Sequence, residues 1–486
     1  MQKKLHYYSI LNNLNFFFFL ICIFFYFKFK FLEPDEIYKY INYKTYIYGA
    51  ALSLEGIFFN QFFSKKFNPL IFILTASTFI FYQLRILTLS YFNYSSVISR
   101  NTSEILLNET LIFIICTNFF IFLGVYLSKK YLSTGAIKII SKNNFVEKRL
   151  GYFLIFIFLL IILNNLNFFN MDTKFILFPY LRFFNPIYFI FAAFCFIVFN
   201  MKFNNNKTHY WNNLFLILLV VLALSNALLL TVHGSRSGIF CLLEFSAIIY
   251  LVFDQKDEFK LKHIRILLFT IMLLLFFFIL ATKIRLTSSS GSHYLQLNSF
   301  DFYYNLFKNS QNTAKEYFAM IADRIGYLDY ATDLISNNKK YEIIFNFKFY
   351  LKSIIDNLTP GFDIYDIPQI SQSIKFVYYN LGYPSRYILT FMPYHTDELT
   401  FYGEIFNIAG YYSIIIALLV GVFFQYLYNC IYSSTIHFYD FIWKVFILYA
   451  FYLLLLSFGF DSFLYQITYI SLIFLIFTFL MKKRDV

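Results

Sequence analysis

Apolar runs of about 20 residues recur along the chain, separated by short polar connections. One polar stretch of roughly 120 residues interrupts the series before its last three members. The runs fall at approximately 14–32, 45–63, 69–89, 106–127, 151–170, 183–200, 213–232, 238–253, 264–282, 403–428, 441–459 and 462–481. At 1.5 Å per residue, a helix of that length crosses the roughly 30 Å hydrocarbon core of a bilayer. Irregular backbone facing lipid would leave N–H and C=O groups without partners, so each run is expected to be a helix. The fold class expected is an all-α polytopic membrane protein of about 12 transmembrane helices. Residues 1–282 would hold helices 1–9, residues 283–402 a large outward-facing loop, and residues 403–486 helices 10–12.

Lysine and arginine in short loops set orientation. With the N-terminus inside, the inside connections hold Lys65 and Lys66; Lys129, Lys130, Lys138, Lys142, Lys148 and Arg149; Lys202 and Lys207; and Lys256, Lys260, Lys262 and Arg265. The C-terminal MKKRDV also falls inside, whereas the connection 429–440 carries no Lys or Arg and gives no signal. The short outside connections are poorer, with Lys39 and Lys44, then Arg100, then Lys174 and Arg182. An N-in, C-in bundle follows, and it puts segment 283–402 outside. Long loops cross whatever their charge, so the loop's eleven basic residues do not oppose this. Segments 301–320, 324–336 and 341–357 carry apolar residues at helical spacing, and Pro360, Gly361 and Pro368 then break the pattern. A mostly helical cap on the outer face is expected, since a loop this long is seldom structureless.

Composition agrees with the pattern. The chain is 59% hydrophobic and 14% charged, where a soluble chain carries about a quarter charged residues. The 71 Phe and 43 Tyr follow most simply from A- and T-rich coding rather than from an aromatic binding surface. The net charge of +13 gathers between apolar runs and reads as topology, not as a nucleic-acid surface. The cysteines, Cys22, Cys116, Cys195, Cys241 and Cys430, form no paired framework and read as small apolar residues of the bundle. No small-residue cleavage site follows the first run, so it reads as an uncleaved helix.

Chemistry is expected where charge gathers at run ends. His233-Gly234-Ser235-Arg236-Ser237-Gly238 joins runs seven and eight at the outer surface. A helix start presents free N–H groups and partial positive charge. Ser235 or Ser237 can cap it, the glycines allow close approach, and Arg236 offers a planar fork suited to phosphate. Together these make an anion site at membrane-surface depth; a tight turn with its arginine on lipid phosphates is the plainer reading. Lys283 and Arg285 follow run nine, an interfacial pair in the plainer view. In the loop, Asp323-Arg324-Ile325-Gly326-Tyr327-Leu328-Asp329 offers Arg324 as a phosphate or sugar ligand, or only a solvated helix face. His395-Thr396-Asp397-Glu398 through Gly403-Glu404 puts a histidine and carboxylates where the chain re-enters the membrane. They could hold and deprotonate a hydroxyl, or Thr396 could simply cap the next helix. Glu33-Pro34-Asp35-Glu36 is a weaker acidic candidate. Within runs, Glu55, Arg85, Glu244 and Lys444 need partners or water, and Glu55 with Arg85 is a possible pair between neighbouring helices. Walker A, GxGxxG, HExxH, GxSxG and zinc-type Cys/His spacings are all missing, so no cofactor and no metal is expected.

The run count, the large loop before the last three runs, and Gly234-Ser235-Arg236-Ser237-Gly238 at the outer start of run eight resemble the O-antigen polymerase family, the oligosaccharide repeat-unit polymerases. Gly403-Glu404 followed by Asn407 and Gly410 looks like that family's re-entry into the membrane. The resemblance implies a metal-independent glycosyltransferase in the bacterial inner (cytoplasmic) membrane, with its active site facing the periplasm. It would polymerise polyprenyl-diphosphate-linked oligosaccharides for O-antigen or capsule, as in lipopolysaccharide biosynthesis. Its partners would be those lipid-linked glycans, the bilayer and a chain-length regulator protein, not nucleic acid. Arg236, Arg285 and Arg324, with Ser235 and Ser237, would hold the diphosphate, and His395 or Glu404 would serve the acceptor hydroxyl. An O-antigen ligase has a similar layout and the same donor. A transferase using monophosphate-linked sugars would depend on Glu33–Glu36, and a lipid-linked oligosaccharide flippase would put its polar groups near the bilayer midplane.

Overall fold

The computed structural model describes residues 5–32, 41–63, 67–92, 104–131, 147–169, 186–203, 209–232, 247–248, 327–336, 355, 400–430, 438–456 and 460–481. Among these residues the chain is almost wholly helical and holds no β-strand. Four stretches are long and apolar enough to cross a membrane: Tyr8–Phe31, Pro69–Ser90, Leu107–Tyr131 and Gly410–Cys430. Shorter apolar helical stretches cover Leu150–Ile162, Pro186–Ile197, Leu214–Asn226, Phe441–Leu456 and Gln466–Phe477. Apart from residues 247–248 and 355, the expected runs 238–253 and 264–282 and the loop segments 301–320 and 341–357 lie outside the described residues.

In chain order the helices are α1 (Leu5–Phe27), α2 (Tyr43–Phe62), α3 (Pro69–Thr78), α4 (Leu84–Phe92), α5 (Glu104–Tyr131), α6 (Glu147–Phe169), α7 (Pro186–Phe203), α8 (His209–Val232), α9 (Tyr327–Ser336), α10 (Phe401–Ala409), α11 (Ser413–Cys430), α12 (Phe438–Leu456) and α13 (Phe460–Met481). A π-helical turn, Lys28–Leu32, follows α1, and another, Phe79–Gln83, joins α3 to α4. Local chemistry sets several boundaries. Asn42 caps α2 by accepting from the Lys44 and Thr45 N–H groups, with Thr45 completing a capping box. Asn68 caps α3 and Pro69 opens it, a residue that loses nothing by lacking an N–H at a helix start.

The chain divides into two compact units. The first comprises Met1–Ile137, Ala314–Tyr432 and Ile447–Thr468. Its helices meet at two ends. At one, the Tyr46 hydroxyl donates to Ser90 Oγ (2.8 Å) and the Thr45 hydroxyl to Asn108 Oδ1 (2.9 Å). At the other, the Tyr8 hydroxyl donates to the Asn68 carbonyl (2.9 Å) and Asn68 Nδ2 to Gln425 Oε1 (2.7 Å). Between these ends α5 and α11 cross glycine on glycine. A methyl group built on Gly124 would overlap the Leu418 carbonyl oxygen, and one on Gly421 the Ile121 carbonyl oxygen. Small residues of this kind let helix backbones approach closely in a membrane, where packing replaces the hydrophobic effect as the cohesive force.

The second unit comprises Lys138–Thr313, Ser433–Phe446 and Tyr469–Val486. Its described core is phenylalanine-rich. Phe153 meets Phe189 (centroids 5.9 Å) and Phe477 (4.7 Å), and Phe474 meets Phe191 (5.5 Å) and Phe446 (5.9 Å). Such offset and edge-on pairs add about 0.5–1.5 kcal/mol each beyond their buried area.

One expectation is corrected. The run 403–428 is not one helix: it breaks at Gly410, whose φ of +55° is open to glycine and strained for other residues. Within the expected loop, residues 327–336 are helical as α9: Leu328, Asp329, Ala331 and Thr332 form one face at most 1% exposed, and α9 packs on α10 and α5 in the first unit.

Candidate functional site

The polar interior of the first unit is organised around Asn118. It lies 11 residues from the start and 13 from the end of the stretch Leu107–Tyr131, so it sits at mid-depth, about 16 Å from the nearer end. Its amide Nδ2 donates to Thr78 Oγ1 (3.3 Å) and faces Glu55 Oε2 at 3.5 Å. Its Oδ1 accepts a 2.5 Å hydrogen bond from the Tyr402 hydroxyl. The Tyr402 ring stands edge-on to Tyr82, with centroids 5.0 Å apart.

These contacts locate α10. Its first turn, at Tyr402, is level with Asn118 in the middle of α5, whereas Phe406 packs on Phe113, one turn nearer the Ser90 end. The chain therefore starts α10 at mid-bundle, climbs outward to Gly410, turns there, and descends as α11 past Gly124 to the Asn68 end. Thr400, fully buried, caps α10 by accepting from the Gly403 N–H (3.2 Å). The cap expected at Thr396 is thus made four residues later. A capped half-helix starting at mid-bundle aims its positive dipole end at the interior.

Arg85 lies on α4 beyond Tyr82, and α9 brings Asp329 to it. The Arg85 Nε donates to Oδ1 at 3.0 Å and Nη2 to Oδ2 at 2.5 Å, a bidentate pair with both residues at most 2% exposed. The pairing of Arg85 with Glu55 is therefore corrected: Arg85 is taken by Asp329, and Glu55 is met by Asn118. A guanidinium at this depth needs a carboxylate, and it finds one in the long loop rather than on the adjacent helix.

Of the residues proposed from sequence, Glu404 is described. It lies in the first turn of α10, 2% exposed. His395, Ser235, Arg236, Ser237, Arg285 and Arg324 lie outside the described residues, as do Glu33–Glu36, Glu244 and Cys241. No disulfide joins the described cysteines, and Cys22, Cys195 and Cys430 are buried. Among the described residues no cluster of three or more His, Cys, Asp or Glu could hold a metal ion. Sequence reasoning missed Asn118 and Gln83, and it saw Asp329 only as a neighbour of Arg324. The one available signal was the unpaired charge of Arg85.

The class this architecture defines is a helical protein with several apolar helices of membrane-crossing character. Comparison with protein-family models, with curated proteins and with solved structures finds no match.

Proposed function

We propose that the chain is a repeat-unit polymerase that joins polyprenyl-diphosphate-linked oligosaccharides on the periplasmic face of the bacterial inner membrane. The observation that carries this reading is a long segment between apolar runs anchored within the bundle, in a chain whose sequence also bears Gly234-Ser235-Arg236-Ser237-Gly238 between two apolar runs. Asp329 on Arg85 and Tyr402 on Asn118 tie the loop to rigid helices at two points. A site assembled from loop and bundle side chains needs such supports to hold its geometry. In the proposed reaction, an acceptor hydroxyl oxygen forms a bond to the anomeric carbon of the growing chain. The bond from that carbon to the diphosphate oxygen breaks, and the hydroxyl proton passes to a base. Arg236, Arg285 and Arg324, with Ser235 and Ser237, stabilise charge on the departing polyprenyl diphosphate. His395 or Glu404, the latter in the first turn of α10, serves the acceptor hydroxyl. The aromatic-rich loop would cover the glycan and keep out water, which would otherwise hydrolyse the donor.

The test is a deletion strain complemented with Arg236→Ala and Arg236→Lys. Loss of polymer with single repeat units retained is expected for both, and full-length polymer from both removes Arg236 from the site. An O-antigen ligase would leave polymer made but unattached in the deletion strain. A second reading, a lipid-linked oligosaccharide flippase, is favoured by the half-helix α10 starting at mid-depth, a device common in transporters. For a flippase, lipid-linked units would accumulate on the cytosolic side of the deletion strain.

A further inference from the structure

The seam between α2 and α5 carries an aromatic surface that runs from a groove to two lysines. Phe59 stacks on Phe122 with centroids 4.2 Å apart, and Phe62 stands edge-on to Phe122 (5.5 Å) and Tyr126 (5.2 Å). Lys129 Nζ sits 4.3 Å from the centre of the Phe63 ring, and Lys130 Nζ lies 5.9 Å from that of Tyr126. Phe59, Phe63 and Phe122 are buried and form the floor, whereas Phe58 and Phe62 are half-exposed. Farther from the lysines the helices flank a groove of about 450 Å³, lined by Leu54, Phe58, Ile115 and Phe119. Glu55 borders it too, but its Oε2 is met by the buried Asn118 amide at 3.5 Å. The surface offered outward is therefore mainly apolar. Residues 115–120 precede Lys130 by about 15–22 Å of helix rise. Half of a bilayer's hydrocarbon core is about 15 Å, so a lipid with its headgroup at Lys130 brings its chain ends to the groove.

We infer that the α2–α5 seam binds one anionic phospholipid, its phosphate at Lys129 and Lys130 and one acyl chain laid over Phe62 and Phe58 into the groove. Charge complementarity selects the headgroup. The last two turns of α2 and of α5 hold no Asp or Glu, so the field at this end of the seam is set by the lysines. The ring contacts of both lysines hold their ammonium groups beside the aromatic surface, where a phosphate joined to a chain in the groove would arrive. A zwitterionic headgroup adds a cation that the same lysines repel. The site goes beyond the proposed polymerase activity and does not depend on it.

The experiment puts the purified full-length chain into detergent micelles holding equal amounts of phosphatidylglycerol and phosphatidylcholine with the same acyl chains. Native mass spectrometry then counts the lipids each protein retains. One lysine beside an anionic lipid strengthens binding about fivefold, so two give a preference for phosphatidylglycerol of about 25-fold. Lys130→Gln should reduce that preference about fivefold, and the double variant Lys129→Gln, Lys130→Gln should bring it near parity. Lys28→Gln, Lys30→Gln removes equal charge at the other end of the seam, where Lys30 lies over Tyr43 at the start of α2, and should leave the preference intact. Leu54→Trp fills the groove without touching charge and should lower phosphatidylglycerol retention severalfold. Equal retention of the two lipids by the unaltered protein marks ordinary bilayer contact and overturns the proposal. So does a preference undiminished in the Lys129, Lys130 double variant, one equally diminished in the Lys28, Lys30 double variant, or undiminished retention in a folded Leu54→Trp protein. If Leu54→Trp does not fold, the two lysine pairs decide.

Discussion

Replacing Asp329 with asparagine should cost the protein more stability than almost any other single polar change in its first unit. Arg85 and Asp329 are 2% and 1% exposed and share a two-point contact, so neither can turn to water when its partner is lost. Removing one member of a buried pair costs about 3–5 kcal/mol, because the remaining charge keeps its desolvation penalty without compensation. Asparagine preserves one acceptor oxygen, which puts Asp329→Asn near the low end, about 3 kcal/mol, and Asp329→Ala near the high end. At about 2–4 °C per kcal/mol for a unit of a few hundred residues, the Asn variant should melt roughly 6–12 °C lower. A thiol-reactive dye reporting on Cys22, 0% exposed in the native state, follows this unit's unfolding in detergent. The double variant Arg85→Met, Asp329→Leu removes both charges and should recover most of the loss, since hydrophobic replacement of a buried pair is often neutral. Arg85→Met and Asp329→Leu singly complete a double-mutant cycle, with an expected coupling of about 2 kcal/mol or more. An Asn variant melting with the unaltered protein, or a double variant no better than its singles, would refute the reasoning.

Three further outcomes are expected in the same melting assay. Gly421→Ala places a methyl group into the Ile121 carbonyl oxygen and forces α5 and α11 apart, costing about 1–3 kcal/mol, with Gly421→Leu worse still. Thr400→Ala removes the α10 cap and should cost about 0.5–2 kcal/mol, with Thr400→Ser close to unaltered. Tyr402→Phe leaves Asn118 Oδ1 buried without its donor, a loss of about 1–3 kcal/mol; a Phe variant as stable as the parent would show that bond to be weak.

Where the chain is apolar, hydropathy located its helices well. Runs expected at 106–127 and 69–89 appear as the stretches Leu107–Tyr131 and Pro69–Ser90. Hydropathy could not show the break at Gly410, because apolar residues continue on both sides of it and window averages ignore backbone conformation. Nor could it show the π-helical turn at Phe79–Gln83, which changes the register of an unbroken apolar segment without changing its composition. The need of Arg85 for a partner was legible from solvation energetics alone. The partner's identity was not, because chain proximity favoured Glu55 and the true contact spans 244 residues. The same limit hid Asn118, whose contacts to Glu55, Thr78 and Tyr402 join three separate parts of the sequence. Of the residues assigned to the reaction, Glu404 alone falls within the described structure, in the first turn of α10.

The reach of the Arg85–Asp329 contact also sets a timetable for biogenesis. The ribosome makes roughly 5–20 residues per second, so the 244 residues separating the two take about 12–50 s to emerge. Throughout that interval the nascent bundle carries a guanidinium whose acid has not yet been synthesised. An escort protein or a membrane protease would meet that half-built state, and the arrival of Asp329 is the event that closes it.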